Sequence, residues 1–234
     1  MRPQFGADLT NHQPGGGGMG GGGGGQDNGE GNNDNAPPIV PPAGGVLMCS
    51  RSAGKAIIRV VGRCNEAQEN FNLDLSECQL MQVPDAVYHL MRHTELRGCN
   101  LSSNAITKLP PKFAAKFSLI TVLNLSCNRL SRLPEEFCDL SALTKLDISH
   151  NAFISLPRVV FKIPNLLSLV ATDNHITDVE VDKVLSAPEL TDLDLRRNPL
   201  SRRVHTELSA LPPRIRLALP PPPPPEEWED LSDV

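Results

Sequence analysis

One frame, repeated along the chain, limits what this sequence can fold into more than any other feature. Residues 120–134, ITVLNLSCNRLSRLP, align without a gap with residues 143–157, LTKLDISHNAFISLP. The shared frame is LxxLxLxxNxLxxLP. It returns from Asn70 to Pro84, from Leu96 to Pro110, from Leu166 to Val179 and, in part, from Leu190 to Leu200. Its ninth position is Cys78, Asn104, Asn128, Asn151, Asn174 and Asn198, at spacings of 26, 24, 23, 23 and 24 residues. A period in this range marks units that cannot bury their own apolar face and must stack.

Each unit reads as one coil. The pairs Leu73/Leu75, Cys99/Leu101, Leu123/Leu125, Leu146/Ile148, Leu169/Ala171 and Leu193/Leu195 alternate with mostly polar residues. That alternation is a short strand with one buried face. The apolar positions that follow (Leu80, Ile106, Leu130, Phe153, Ile176, Leu200) turn the chain under the sheet, and Pro84, Pro110, Pro134 and Pro157 begin the return along the convex side. The expected fold is an α/β solenoid, a horseshoe of about six coils with a parallel sheet on its concave face. The asparagines fall where backbone groups lack strand partners, and an amide that both donates and accepts can satisfy them.

A parallel stack exposes two sheet edges, and both need covers. At the front, Ile57, Val60, Val61, Cys64 and Ala67/Gln68 recur at helical spacing and predict an amphipathic capping helix over 53–69. At the back the frame fails, because the core position after Leu200 falls on Arg203. Leu208, Leu211, Ile215, Leu217 and Leu219, around Pro212-Pro213, read as an irregular cap. The chain therefore divides into a Gly/Asn/Pro-rich arm (1–45), a front cap (46–69), the repeats with their back cap (70–219), and a proline run with an acidic tail (220–234). Arm and tail have too little apolar surface to offset the entropy of ordering, so both are expected to be disordered.

The segment AIIRVVGRCNEAQENFNLDLSECQL, the LDLRRNPL of the last coil and the six short repeats resemble cytosolic leucine-rich repeats of the LP type. Over roughly residues 53–217 the pattern is similar to the leucine-rich repeat-containing protein 20 family. The resemblance implies a curved solenoid that binds proteins, and it brings no catalytic residues to carry over. The arm and the tail lie outside it.

Composition narrows the function by exclusion. The net charge is −5, but arm and tail hold the negative excess, which leaves the repeats weakly positive. Arg196, Arg197, Arg202, Arg203, Arg214 and Arg216 gather near the C-terminal edge without interleaved aromatics, so no nucleic-acid partner is expected. Those arginines read as a solvated end, as a site for an acidic partner, or as a berth for the acidic tail. No stretch has the apolar length of a signal peptide or a membrane span, and no membrane partner is expected. The six cysteines then read as thiols of a reducing compartment, cytoplasmic with the nucleus left open. No cysteine or histidine spacing suggests a metal, and neither metal nor cofactor is expected. The solenoid is expected to be a monomer.

The frame also names the concave face. One outward column is Asp74, Asn100, Asn124, Asp147, Val170 and Asp194; its neighbours are Ser76, Ser102, Ser126, Ser149, Thr172, Arg196 and Asn72, Gly98, Val122, Lys145, Ser168, Asp192. Six strands span on the order of 24–29 Å, enough for a strand, helix or loop of a partner. Asp74, Asn100, Asn124, Lys145, Asp147, His150, Asp194 and Arg196 are the candidate contacts. Asp147, Asp194, Lys145 and His150 stand out among small polar residues, and the serines read as ordinary for the repeat.

The favoured function is a non-catalytic scaffold or adaptor; a regulatory or targeting subunit of an enzyme is the alternative. A cysteine-based catalyst built on Cys127 and His150, in equivalent positions of adjacent coils, is remote. It lacks an orienting third group, and the carboxylates stand two or three coils apart. Pro220–Pro225 predicts a polyproline II rod, a spacer of about 19 Å or a ligand for a proline-reading domain. Beyond it, Trp228 and Leu231 form an acid-flanked Trp-x-x-Leu, similar to motifs that dock into ubiquitin-like modifiers. The terminal Val234 fits a PDZ pocket. A merely solubilising tail competes with both readings.

Overall fold

A computed structural model describes residues 43–224, with side chains from residue 56 onward. Residues 1–42 and 225–234, including Trp228, Leu231 and Val234, lie outside the described residues. Helix α1 (Ala43–Asn70) leads into β1 (Asn72–Asp74), and the strands β2 (Gly98–Asn100), β3 (Val122–Asn124), β4 (Lys145–Asp147), β5 (Ser168–Val170), β6 (Asp192–Asp194) and β7 (Arg216–Ala218) follow. All pair in parallel, in sequence order. The register is that of the sequence frame: Leu73, Cys99, Leu123, Leu146, Leu169 and Leu193 stand side by side. These residues and the ones two positions on (Leu75, Leu101, Leu125, Ile148, Ala171, Leu195) are all buried.

Proline starts the return of each early coil because a helical first turn does not need its missing N–H. The carbonyls of Pro84, Pro110, Pro134 and Pro157 accept from Val87, Phe113, Phe137 and Val160, each three residues on. The convex segments are α2 (Asp85–Leu90), α3 (Lys112–Lys116), two 3-10 turns (Glu135–Asp139 and Arg158–Lys162) and α4 (Val181–Ser186). Phe113 stacks on Phe137 at 6.0 Å and meets Phe117 edge-on at 5.2 Å, which joins successive coils under the convex surface.

The asparagine ladder ties each coil to the one before it. Nδ2 of Asn128 donates to the carbonyls of Leu125, Ser126 and, one coil back, Leu101; its Oδ1 accepts from Ile106 N–H at 3.0 Å. Asn151, Asn174 and Asn198 repeat this pattern. At the same position of the first coil, Cys78 has no earlier coil to hold. A buried thiol suffices there.

Both ends differ from the sequence expectation. Helix α1 starts at Ala43, within the segment assigned to the arm. Its buried stripe is Val60, Cys64 and Ala67; Ile57 is 64% exposed, Val61 37% exposed, and Gln68 is exposed. The helix meets the sheet edge with polar groups as well as apolar ones. Arg63 donates to the carbonyls of Asp74 and Ser76, Arg59 to that of Glu77, and Gln68 to that of Leu90. At the back, the irregular cap is an ordered coil. Ser201 accepts from Val204 N–H and caps α5 (Arg202–Ser209), after which β7 adds a seventh strand. The frame is absent there because Leu217 is only half-buried and no further coil needs an asparagine.

Candidate functional site

The sheet register brings the predicted concave residues into columns. Asp74, Asn100, Asn124, Asp147, Val170 and Asp194 are paired neighbours across the strands. Most of this column is already engaged by its own chain. Oδ1 of Asp74, Asn100, Asn124, Asp147 and Asp194 each accepts the backbone N–H two residues on, at 2.9–3.1 Å. These Asx turns bend the chain out of the strand. Val170 is the one member that cannot do so. Asp194 is further held by Arg196, whose Nε and Nη2 donate to its carboxylate. Burial raises the Asp194 carboxyl, but Arg196 and its amide outweigh that and hold it below the usual range. The Asp74 carboxyl is likewise held down, against burial, by the Ser76 amide and hydroxyl and by Arg63. Five of the predicted contacts thus shape the fold.

The neighbouring column is less committed. Asn72, Gly98, Val122, Lys145, Ser168, Asp192 and Arg216 stand side by side. Asn72 lies across Gly98, where a Cβ would come within 2.3 Å of its Oδ1. At the far end Arg216 pairs with Asp192 at 2.7 Å. Between them, on the central strands, Val122 is 43% exposed and Lys145 is exposed. Among the described residues Lys145 has no hydrogen bond or ion pair; its charge only helps hold the Asp192 carboxyl low.

A further column was seen in the sequence only at Cys127 and His150. Glu77, Ser103, Cys127, His150, Asp173 and Arg197 occupy the eighth position of successive coils, and all six have positive φ, between 52° and 57°. Left-handed backbone is costly for residues with a Cβ. Here it lets the next residue, asparagine or cysteine, turn inward. The N–H groups of Glu77, Ser103, Cys127, His150 and Asp173 bond to carbonyls of the following coil, so the twist also completes the ladder. Within this column His150 Nε2 lies 3.5 Å from the Asp173 carboxylate, and Arg197 lies 3.3 Å from the same group on the other side.

That chain of contacts corrects one expectation, since His150 does have a third group beside it. The repeat period would have placed Asp173 there. Among the described residues no hydrogen bond joins Cys127 to His150, and the imidazole leans toward a carboxylate that Arg197 shares. The arginine edge is also more nearly neutral than its sequence suggests. Arg196, Arg197, Arg203 and Arg216 pair with Asp194, Asp173, Glu207 and Asp192, and Arg214 donates to the Leu185 carbonyl. Among the described residues no cluster of His, Cys, Asp or Glu could hold a metal ion, and no helix is long and apolar enough to cross a membrane.

Comparison with known proteins fits this geometry. The family model "Leucine rich repeat" matches residues 94–153. Proteins of Mus musculus and Homo sapiens named leucine-rich repeat-containing protein 20 are each 33% identical over 170 residues, covering 71% of this chain and 91% of theirs. The chain belongs to the leucine-rich repeat-containing protein 20 family. The region shared with the family corresponds in length to the solenoid, from front helix to back cap. A solved leucine-rich repeat protein of Leptospira interrogans superimposes with a TM-score of 0.53 at 27% identity, over 59% of this chain and 34% of that one. The chain thus spans about a third of that protein's length. Leucine-rich repeats of this kind generally serve as protein–protein interaction modules.

Proposed function

We propose that the chain is a non-catalytic scaffold or adaptor that holds a protein partner on the middle of its concave face, around Val122, Lys145 and His150. One observation carries the reading. Val122 and Lys145 are exposed on the central strands and His150 is exposed just beyond β4, beside Asp173; these side chains make none of the turn or ladder bonds that build the coil, whereas Asp74, Asn100, Asn124, Asp147 and Asp194 do. A cation beside an apolar side chain suits a partner with an acidic, partly apolar ridge. Five free thiols among the described residues fit a reducing compartment, and we place the protein in the cytoplasm as a monomer.

Proximity labelling in cells tests the reading with three forms: the parent, a Lys145→Glu/His150→Ala variant, and a control in the convex helix α4, Lys183→Glu. Loss of one set of neighbours in the concave variant alone supports it. Identical labelling in all three sinks it. If the lost neighbour is an enzyme present in equal amount, the protein is a regulatory or targeting subunit. A separate contact through Trp228, Leu231 and Val234 rests on sequence alone. Trp228→Ala would abolish capture by a ubiquitin-like modifier, and a glycine added after Val234 would abolish capture by a PDZ domain.

A further inference from the structure

The proline run follows β7 through Leu219 without a break, and its first five residues, Pro220–Pro224, are described. A spacer would leave the body of the protein at once. This one does not. Pro220 and Pro223 are half-buried, while Pro221, Pro222 and Pro224 are exposed. A polyproline II helix has three residues per turn, so a burial period of three is that of a rod resting one edge on a surface. His205 of α5 donates from Nε2 to the Pro220 carbonyl at 3.0 Å. Farther along, Pro223 and Pro224 face Leu200, Ser201, Arg202 and Arg203 across a groove of about 740 Å³. The back cap therefore holds the rod through Pro220 and Pro223 and leaves Pro221 and Pro222 facing outward.

Such a rod is a ready ligand. It has no internal hydrogen bonds, so its outward carbonyls are open to a donor, and its φ angles are already fixed. Domains that read proline rods lay them in grooves lined with aromatic rings and gain from this low conformational entropy. Resting on α5 removes more of that entropy before any partner arrives. The residues that follow, Glu226, Glu227, Glu229 and Asp230, are acidic. A reader of this rod needs basic residues at the margin of its groove.

We propose that residues 220–224 are a ligand, displayed on the C-terminal end of the solenoid, for a protein domain with an aromatic-lined groove and a basic margin. The site is separate from the concave face, and neither reading depends on the other. The experiment is calorimetric titration of the full-length chain with a panel of SH3, WW and EVH1 domains that carry Lys or Arg beside the groove. At least one domain binds with a Kd of about 100 μM or tighter. Pro221→Ala/Pro222→Ala changes only outward positions, and it weakens that binding about tenfold or more without moving Tm. Absence of any binding at that level overturns the proposal. So does binding that survives Pro221→Ala/Pro222→Ala but is lost in Pro220→Ala/Pro223→Ala, because the domain would then read the docked edge. A rod that instead joins two copies of the chain, seen as a dimer that Pro221→Ala/Pro222→Ala dissociates, also overturns it.

Discussion

At the front edge of the sheet, the carbonyls of Asp74, Ser76 and Glu77 have no preceding strand, and guanidinium groups from α1 stand in for one. The back edge closes differently. The chain instead builds one more coil, with a capped helix and β7, and then runs into prolines. The front thus closes by satisfying polar groups from outside, and the back closes by extending the sheet with a strand of weaker pattern. An edge can be made safe either by occupying its hydrogen-bonding groups or by following it with residues that donate none. Between the two ends every coil has two neighbours, and the asparagine ladder replaces both devices.

If that contrast is right, damage in the middle costs most. Leu125→Ala opens a cavity in a fully buried, doubly flanked position and lowers stability by about 2–5 kcal/mol in urea unfolding. A melt matching the parent would break the distinction between middle and ends.

Asn128→Ala strands the carbonyls of Leu101, Leu125 and Ser126 and the Ile106 N–H, at a cost of about 1–3 kcal/mol. Cys78→Ala, at the same frame position on the front coil, removes no amide bonds. Its cost stays near 1 kcal/mol, roughly that of a small cavity. Equal losses would show that the ladder is not what separates interior coils from the first.

The two caps fail locally and at opposite ends. Arg63→Ala and Ser201→Ala each cost about 1 kcal/mol. Hydrogen exchange separates them: the first exposes amides near β1, the second those of α5 and β7. Uniform loss of protection in either variant would argue that the ends are not independent.

Cys127→Asn relieves left-handed strain at an exposed site and raises stability by up to about 1 kcal/mol. Unchanged or lowered stability would mean that the column's neighbours already absorb the strain.

The smallest effect is in acid. The folded carboxyls of Asp74 and Asp194 are held below the usual aspartate range, so the stability they contribute is full above the unfolded value, near pH 4. It is lost as pH falls through the folded value. Asp74→Asn and Asp194→Asn should each make the decline below about pH 4 shallower. An acid limb as steep as the parent's would remove these pairs from the account of either end.

The interior was legible because burial imposes period two on each strand and one period on the stack, and Leu, Asn and Pro recur where those demands fall. Register and the buried ladder could be written out before any coordinate. Ile57 and Val61 show where the pattern misleads. An apolar residue at helical spacing is not thereby buried when the surface it would cover is a single coil, and Arg59 and Arg63 contribute what no hydrophobic pattern announces. β7 was missed for a related reason: a last coil has nothing to stack on and keeps no frame. On the candidate face, polarity could not tell Asp147, bound to its own Ser149 amide, from Lys145, which among the described residues makes no hydrogen bond or ion pair. The left-handed column was hidden because backbone twist leaves no mark in residue types as varied as Glu77, Cys127 and Arg197.

The convex returns are not alike along the stack. α2 and α3 serve the front, 3-10 turns serve the third and fourth coils, and α4 with α5 serve the back. A 3-10 turn is slimmer than an α-helix and climbs about 2.0 Å per residue against 1.5 Å. Slim backs need less room on the convex side, which matches the shorter frame of these two coils, 23 residues each. Val122 and Lys145 stand side by side on the strands of these two coils. A ridge that touches both therefore bridges the two coils whose backs are slimmest.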